Sequence, residues 1–127
     1  MKKLYIPALI MMAVALAACG DTSFEWFPPV TDTTPPVIAV SGPVFTNSTG
    51  HAAPQSTVSF TADEPATIFY TTNSAAAETA FTQVEFDSSP VAAFTLSAAN
   101  TILRFFGIDK SSNKNRSTTK TVTIIAP

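Results

Sequence analysis

Hydrophobic positions along this chain follow two regimes. Residues 4–18 are an unbroken apolar block behind a basic start, Met1-Lys2-Lys3. From Pro36 onward the apolar residues come as short β-branched and aromatic runs, separated by turn residues such as Asp63-Glu64-Pro65, Asp87-Ser88-Ser89-Pro90 and Ser111-Ser112-Asn113. Runs of this length bounded by turn signals are strands, and no window shows the apolar spacing of a helix. Seven strands are predicted, at residues 37–41, 57–62, 66–72, 81–86, 91–96, 101–109 and 118–125, with at most a helical turn at 75–79. The expected fold is all-β, a seven-stranded two-sheet sandwich of the ~100-residue class.

Successive side chains of a strand point to opposite faces, so each run nominates an inward set. These are Val58, Phe60 and Ala62; Ile68 and Tyr70; Phe94 and Leu96; Leu103 and Phe105; Val122 and Ile124. For residues 101–109 the opposite parity would bury the charge of Arg104, which selects Leu103 and Phe105 as the inward pair.

The apolar block at the start is too short to span a bilayer, which takes about 20 residues, and its basic start and small-residue end match a secretory leader. Its close, Leu16-Ala17-Ala18-Cys19, resembles a bacterial lipobox. That resemblance implies cleavage after residue 18 and acylation of Cys19, which becomes the membrane anchor of the mature chain. Two or more acyl chains hold a protein to a membrane stably, because each buried CH₂ adds ~0.8 kcal/mol. In the lipoproteins this resembles, Asp directly after the Cys favours the inner membrane; Gly20 here points to the outer membrane. Cys19 is the one cysteine, so its use by lipid leaves no disulfide, no thiolate metal site and no thiol nucleophile.

Between anchor and sandwich, residues 19–36 carry Pro28, Pro29, Pro35 and Pro36 among Thr and Asp and read as an extended tether reaching up to about 50 Å. The domain division is thus leader 1–18, lipidated Cys and tether 19–36, and sandwich 37–127. Phe24-Glu25-Trp26-Phe27 is an unusual aromatic group for a linker. Three readings are open: an interfacial anchor at the headgroups, a docking peptide for a partner, or aromatics folded back on the domain.

Three stretches carry a family resemblance. Asp32-Thr33-Thr34-Pro35-Pro36, then Ala62-Asp63-Glu64-Pro65-Ala66-Thr67-Ile68-Phe69-Tyr70-Thr71-Thr72, then Leu103-Arg104-Phe105-Phe106-Gly107-Ile108-Asp109-Lys110-Ser111-Ser112-Asn113-Lys114 resemble bacterial immunoglobulin-like and fibronectin type III-like modules. The small C-terminal domain of chitobiase and β-N-acetylhexosaminidase is the family most similar to them. The resemblance implies an accessory, non-catalytic sandwich. Asn73-Ser74-Ala75-Ala76 departs from the family pattern, which has an Asp-Gly hairpin followed by Pro at this place.

Charge and chemistry narrow the function further. Only 13% of residues are charged, and the full chain carries −2. Loss of Lys2 and Lys3 with the leader leaves five basic side chains against nine acidic ones, a charge of −4, so nucleic acid is not an expected partner. His51 is the single histidine and is expected in a solvated loop, where alone it makes neither a metal site nor a triad. Asp63-Glu64 is a carboxylate pair, but at a turn before Pro65 it reads as a solvated corner, and no enzyme is expected. With strands alternating in direction, Asp32, Asp63, Glu64, Asp87 and Asp109 fall at one end of the sandwich. Ca²⁺ takes six to eight oxygens, so calcium is a candidate ligand there; Lys110 and Lys114 occupy the same region and are candidates to neutralise the cluster. Phe69, Phe106 and Ile108, with Ile125, lie on the outward parity and form a candidate apolar binding face, unless Arg104 and the surrounding threonines cover it. The expected function is a lipid-anchored envelope module with a structural or protein-interaction role; the alternative is a carbohydrate-binding accessory module whose platforms would be Phe69, Phe106 and Phe81. The expected partners are the membrane through the anchor, and an envelope protein or a glycan.

Overall fold

Parity decides the architecture. The computed structural model describes residues 31–97 and 100–126. It forms β1 (Ile38–Ser41), β2 (Val44–Thr46), β3 (Thr49–His51), β4 (Thr57–Ala62), β5 (Ala66–Thr71), a 3₁₀ turn (Glu78–Ala80), β6 (Thr82–Phe86), β7 (Val91–Thr95), β8 (Thr101–Asp109) and β9 (Lys120–Ile125). Cys19, the leader and the aromatics at 24–27 lie outside the described residues.

The protein is all-β, with two sheets arranged as a sandwich. One has the order β1-β4-β7, the other β2-β3-β9-β8-β5-β6. Every pairing is antiparallel except β3 on β9, which is parallel. Nine strands are present among the described residues rather than seven. The additional two are the hairpin β2–β3, in a stretch where each strand is only three residues long and Gly50 interrupts the β-branched pattern. Asn47 turns the hairpin with φ +56°, a conformation Asn tolerates better than most residues. Gly50 lets the Phe45 ring close onto β3: a Cβ there would lie 2.6 Å from the ring, which would have to move aside.

Between the sheets the inward set packs as expected. Val58, Phe60, Ile68, Tyr70, Leu96, Leu103, Phe105 and Ile124 are buried, and Ala62, Phe94 and Val122 pack partly buried against them. Phe60 contacts Tyr70 and Phe105 at 5.4 Å between ring centroids in each case, both tilted, a favoured aromatic geometry. The Tyr70 hydroxyl donates to the Ala93 carbonyl (2.8 Å), satisfying the one polar atom of that ring.

The last residues of the tether segment are bound to the sandwich. Pro36 is fully buried, and it approaches β8 because Gly107 has no side chain: a Cβ there would fall 2.6 Å from Ile38 and 3.1 Å from Pro36. The Asp32 carbonyl accepts hydrogen bonds from Asn113 Nδ2 (2.8 Å) and Asn115 Nδ2 (2.9 Å).

Candidate functional site

Strand direction collects the turn 63–65, the turn 87–90, the loop 110–119 and the segment before β1 at one end of the sandwich. Of the five acidic residues expected there, three converge: carboxylate oxygens of Asp32, Glu64 and Asp109 lie within 4.8 Å of one another. The other two are turned elsewhere. Asp63 Oδ1 accepts from the Val37 backbone N–H (2.7 Å), and Asp87 Oδ1 accepts from Lys110 Nζ (2.7 Å), which also reaches Glu85 (2.9 Å). Lys110 therefore faces β6 rather than neutralising the trio; Asp87, then Glu85, hold its amine above its usual range.

Asp109 is the centre of this end. Its Oδ1 accepts from Ser111 N (3.1 Å), Ser111 Oγ (2.7 Å) and Asn115 N (3.2 Å), and its Oδ2 from Asn115 Nδ2 (2.7 Å). Burial pushes the carboxyl up, but the donors of Ser111 and Asn115 outweigh it and hold the group below the ordinary Asp value. Glu64 goes the other way: burial, then the neighbouring Asp32 carboxylate, then Asp109 and Asp63 raise it. The trio has the hard-oxygen chemistry of a divalent-cation site, with Asp32, Glu64 and Asp109 as the residues that would hold one. Its centre, Asp109, already has both carboxylate oxygens engaged by the hydrogen bonds from Ser111 and Asn115.

The outward aromatic face is not open. Phe69 and Phe106 are direct partners in the β5–β8 register and stack at 4.9 Å with their planes 9° apart. Phe106 is nonetheless only 6% exposed, and Phe81, 5.8 Å away, only 8%. The Arg116 guanidinium lies over the Phe106 ring (Cζ 4.0 Å from the centroid) and Arg104 over Phe81 (5.2 Å). Arg104 Nη1 donates to the carbonyls of Ser74 (3.2 Å) and Ala76 (2.9 Å), drawing the connection before β6 across the sheet. Arg116 pairs with Glu78 (2.7 Å), whose Oε1 also accepts from Thr119 Oγ1 (2.6 Å). Phe69 and Ile108 are half-buried. The expected binding face is thus a covered second core, and the segment 73–76 helps form the cover. Arg104 was legible as a cover from its parity; Glu78 and Arg116 were not, since nothing in their spacing links residues 38 positions apart.

His51 lies exposed in β3, a strand rather than a loop. On the side where β5, β6 and β7 meet, the sandwich has a notch of about 430 Å³ walled by Tyr70 and Phe94, stacked 5.8 Å apart, and by Thr71, Thr72, Thr82 and Thr95.

Neither a scan against protein-family models, nor a search of curated proteins, nor one of solved structures finds a match to this chain.

Proposed function

We propose that the chain is a bacterial envelope lipoprotein, anchored at the outer membrane through acylated Cys19, whose immunoglobulin-like sandwich is a non-catalytic structural and protein-interaction module. Support for the anchor is the basic-plus-apolar leader closing on Leu16-Ala17-Ala18-Cys19. Support for the immunoglobulin-like type is the strand order: β1-β4-β7 face β9-β8-β5, the ABE and GFC arrangement, with β6 beside β5 and the hairpin β2–β3 inserted between the first two strands of the pattern.

The observation that carries the display role is that the segment before β1 and the end of β9 lie at opposite ends of the sandwich. The segment before β1 is gripped through the Asp32 carbonyl at the end formed by the loop 110–119. β9 finishes at the opposite end, where Ile124 pairs with Thr101 and the Ile125 carbonyl accepts from Ala52 N–H. A module held at one end presents the other, together with its lateral edges, away from its attachment.

Two measurements test this. Cys19→Ser should move the protein from the membrane to the soluble envelope fraction; retention in the membrane by the variant would remove the anchor. Photo-crosslinking in intact cells, followed by membrane extraction, should capture the acylated protein with a defined partner; capture of none across probes placed on the distal loops and edges would remove the interaction role.

The notch at Tyr70 and Phe94 favours a second reading, a glycan contact, because aromatic surface beside several hydroxyls suits a neutral sugar. A glycan array that is blank at high protein concentration, or binding unchanged by Phe94→Ala, would reject it.

A further inference from the structure

The two sheets are unequal, three strands against six: β6 extends the larger sheet on one side, and the other two surplus strands lie on the opposite side. There the hairpin β2–β3 continues the larger sheet beyond β9, while the smaller sheet stops at β1. Between β1 and this overhang runs a cleft of about 350 Å³, within the size range of small binding pockets. Ile38, Val40, Phe45, Phe105 and Val122 line it, and Lys120 is the cation among its lining residues.

Two features distinguish this edge from the β7 and β6 edges of the sandwich. The first is backbone. Among the described residues β1 is hydrogen-bonded to β4 on one side only, and its sequence, Ile38-Ala39-Val40-Ser41, contains none of the charges, prolines or bulges with which proteins usually blunt an edge. The opposite edge, β7, is bulged at Ala93, whose carbonyl accepts the Tyr70 hydroxyl. On the larger sheet, the edge strand β6 carries Glu85 in its pairing with Lys110. The second feature is charge. Arg104, Lys110 and Arg116 are all engaged by carbonyls or carboxylates, whereas Lys120, exposed beside the apolar cleft, has no ion pair among the described residues; Lys114 has none either, but it lies in the loop 110–119 and does not line the cleft.

We propose that the β1 edge accepts an extended peptide as a fourth strand of the smaller sheet, with a large apolar side chain of the peptide in the cleft and an acidic residue beside it at Lys120. The proposal rests on the protein-interaction reading above and names its surface. Backbone pairing along β1 supplies affinity that tolerates sequence, while the cleft and the lysine supply selectivity, as in other strand-addition complexes. Phe45 would roof the added strand, which gives the hairpin a purpose beyond extending the sheet. Pro36 and Pro43 bracket the edge and limit the pairing to the four residues of β1.

The test uses the full acylated chain in zwitterionic lipid nanodiscs, with empty nanodiscs as blank, so that no detergent occupies the cleft. The probe is a fluorescein-labelled seven-residue peptide, threonine-rich, with a central Phe and a Glu two positions on; one control peptide carries Lys in place of Glu, another Pro beside the Phe. Fluorescence polarisation should show binding of the Glu peptide, several-fold weaker binding of the Lys peptide and none of the Pro peptide. Lys120→Glu, a surface change that leaves the core intact, should reverse the order of the Glu and Lys peptides. No binding of any peptide at millimolar protein, equal binding of the Pro peptide, or an order unchanged in Lys120→Glu would overturn the proposal. So would sedimentation showing that a second copy of the chain occupies the β1 edge. A partner captured in cells and retained in full by Lys120→Glu would remove β1 as the surface while leaving the interaction role in place.

Discussion

At the scale of single residues, the acidic end behaves as two opposed titrations. Asp109 is held below its ordinary value, so its contribution to stability is complete above about pH 4 and is lost as pH falls through its folded value. Glu64 is raised, so it favours the fold when protonated and loses that contribution as pH rises through its folded value. Acidification from pH 7 toward the ordinary glutamate value should therefore raise the melting temperature through Glu64, and further acidification should lower it as Asp109, Glu78 and Glu85, all held below their ordinary values, take up protons. Glu64→Gln should raise the midpoint at pH 7 and remove the rise on mild acidification; melts at pH 7, 5 and 3 with the same profile as the parent would contradict this. Chelation should leave the midpoint unchanged, since Ser111 and Asn115 already satisfy Asp109; a drop of several degrees in EDTA would reveal a resident cation. The location of Asp32, Glu64 and Asp109 at one end was legible from strand alternation. Their convergence, and the diversion of Asp63 and Asp87, was not, because side-chain direction in a turn depends on which backbone N–H or ammonium group lies nearest.

Among the elements, the connection before β6 and the hairpin β2–β3 matter most. Phe106 sits on the outward parity of β8, yet it is buried beneath Arg116 and beside Phe69 and Phe81. Phe106→Ser should therefore destabilise the fold by about 3 kcal/mol, as for other large core truncations, rather than merely alter a surface; a chemical-denaturation midpoint equal to the parent's would show that the face is open after all. Glu78→Gln should loosen the cover while sparing the inner core. Amide exchange should then quicken for residues 73–80 and remain unchanged for β4 and β8; uniform protection would mean that Arg104 alone holds the segment. Alternation in β8 identified which face Phe106 occupies but not what lies on that face, because the cover comes from residues 73–81 and from Arg116, joined to β8 only in three dimensions. The hairpin escaped detection for a related reason. Three-residue strands carry too few alternations to register, and β3 is stabilised by a parallel partner, β9, more than 70 residues away in sequence.

For the molecule as a whole, the inner core is the part that tolerates least change. Phe60→Ala or Phe105→Ala should cost about 3–5 kcal/mol, and Gly107→Ala should be destabilising by about 1–3 kcal/mol because Ile38 and Pro36 would have to withdraw from β8. Equilibrium denaturation of the three variants checks the ranking, and a Gly107→Ala midpoint at or above the parent's would mean that β1 shifts freely. That core was legible in the linear chain, since period-two alternation is a local property: a residue two positions along a strand returns to the same face whatever the strand pairs with. All-β character, the seven longer strands and the inward residues follow from it, and the grouping of acidic turns at one end follows from letting those strands alternate in direction. Tertiary structure alone decided the inserted hairpin, the unequal sheets with β1 at an edge among the described residues, the sealing of the outer phenylalanines and the pinning of Asp32 by Asn113 and Asn115. Each of these depends on contacts between segments far apart in sequence, and such contacts leave no periodic trace in the chain that makes them.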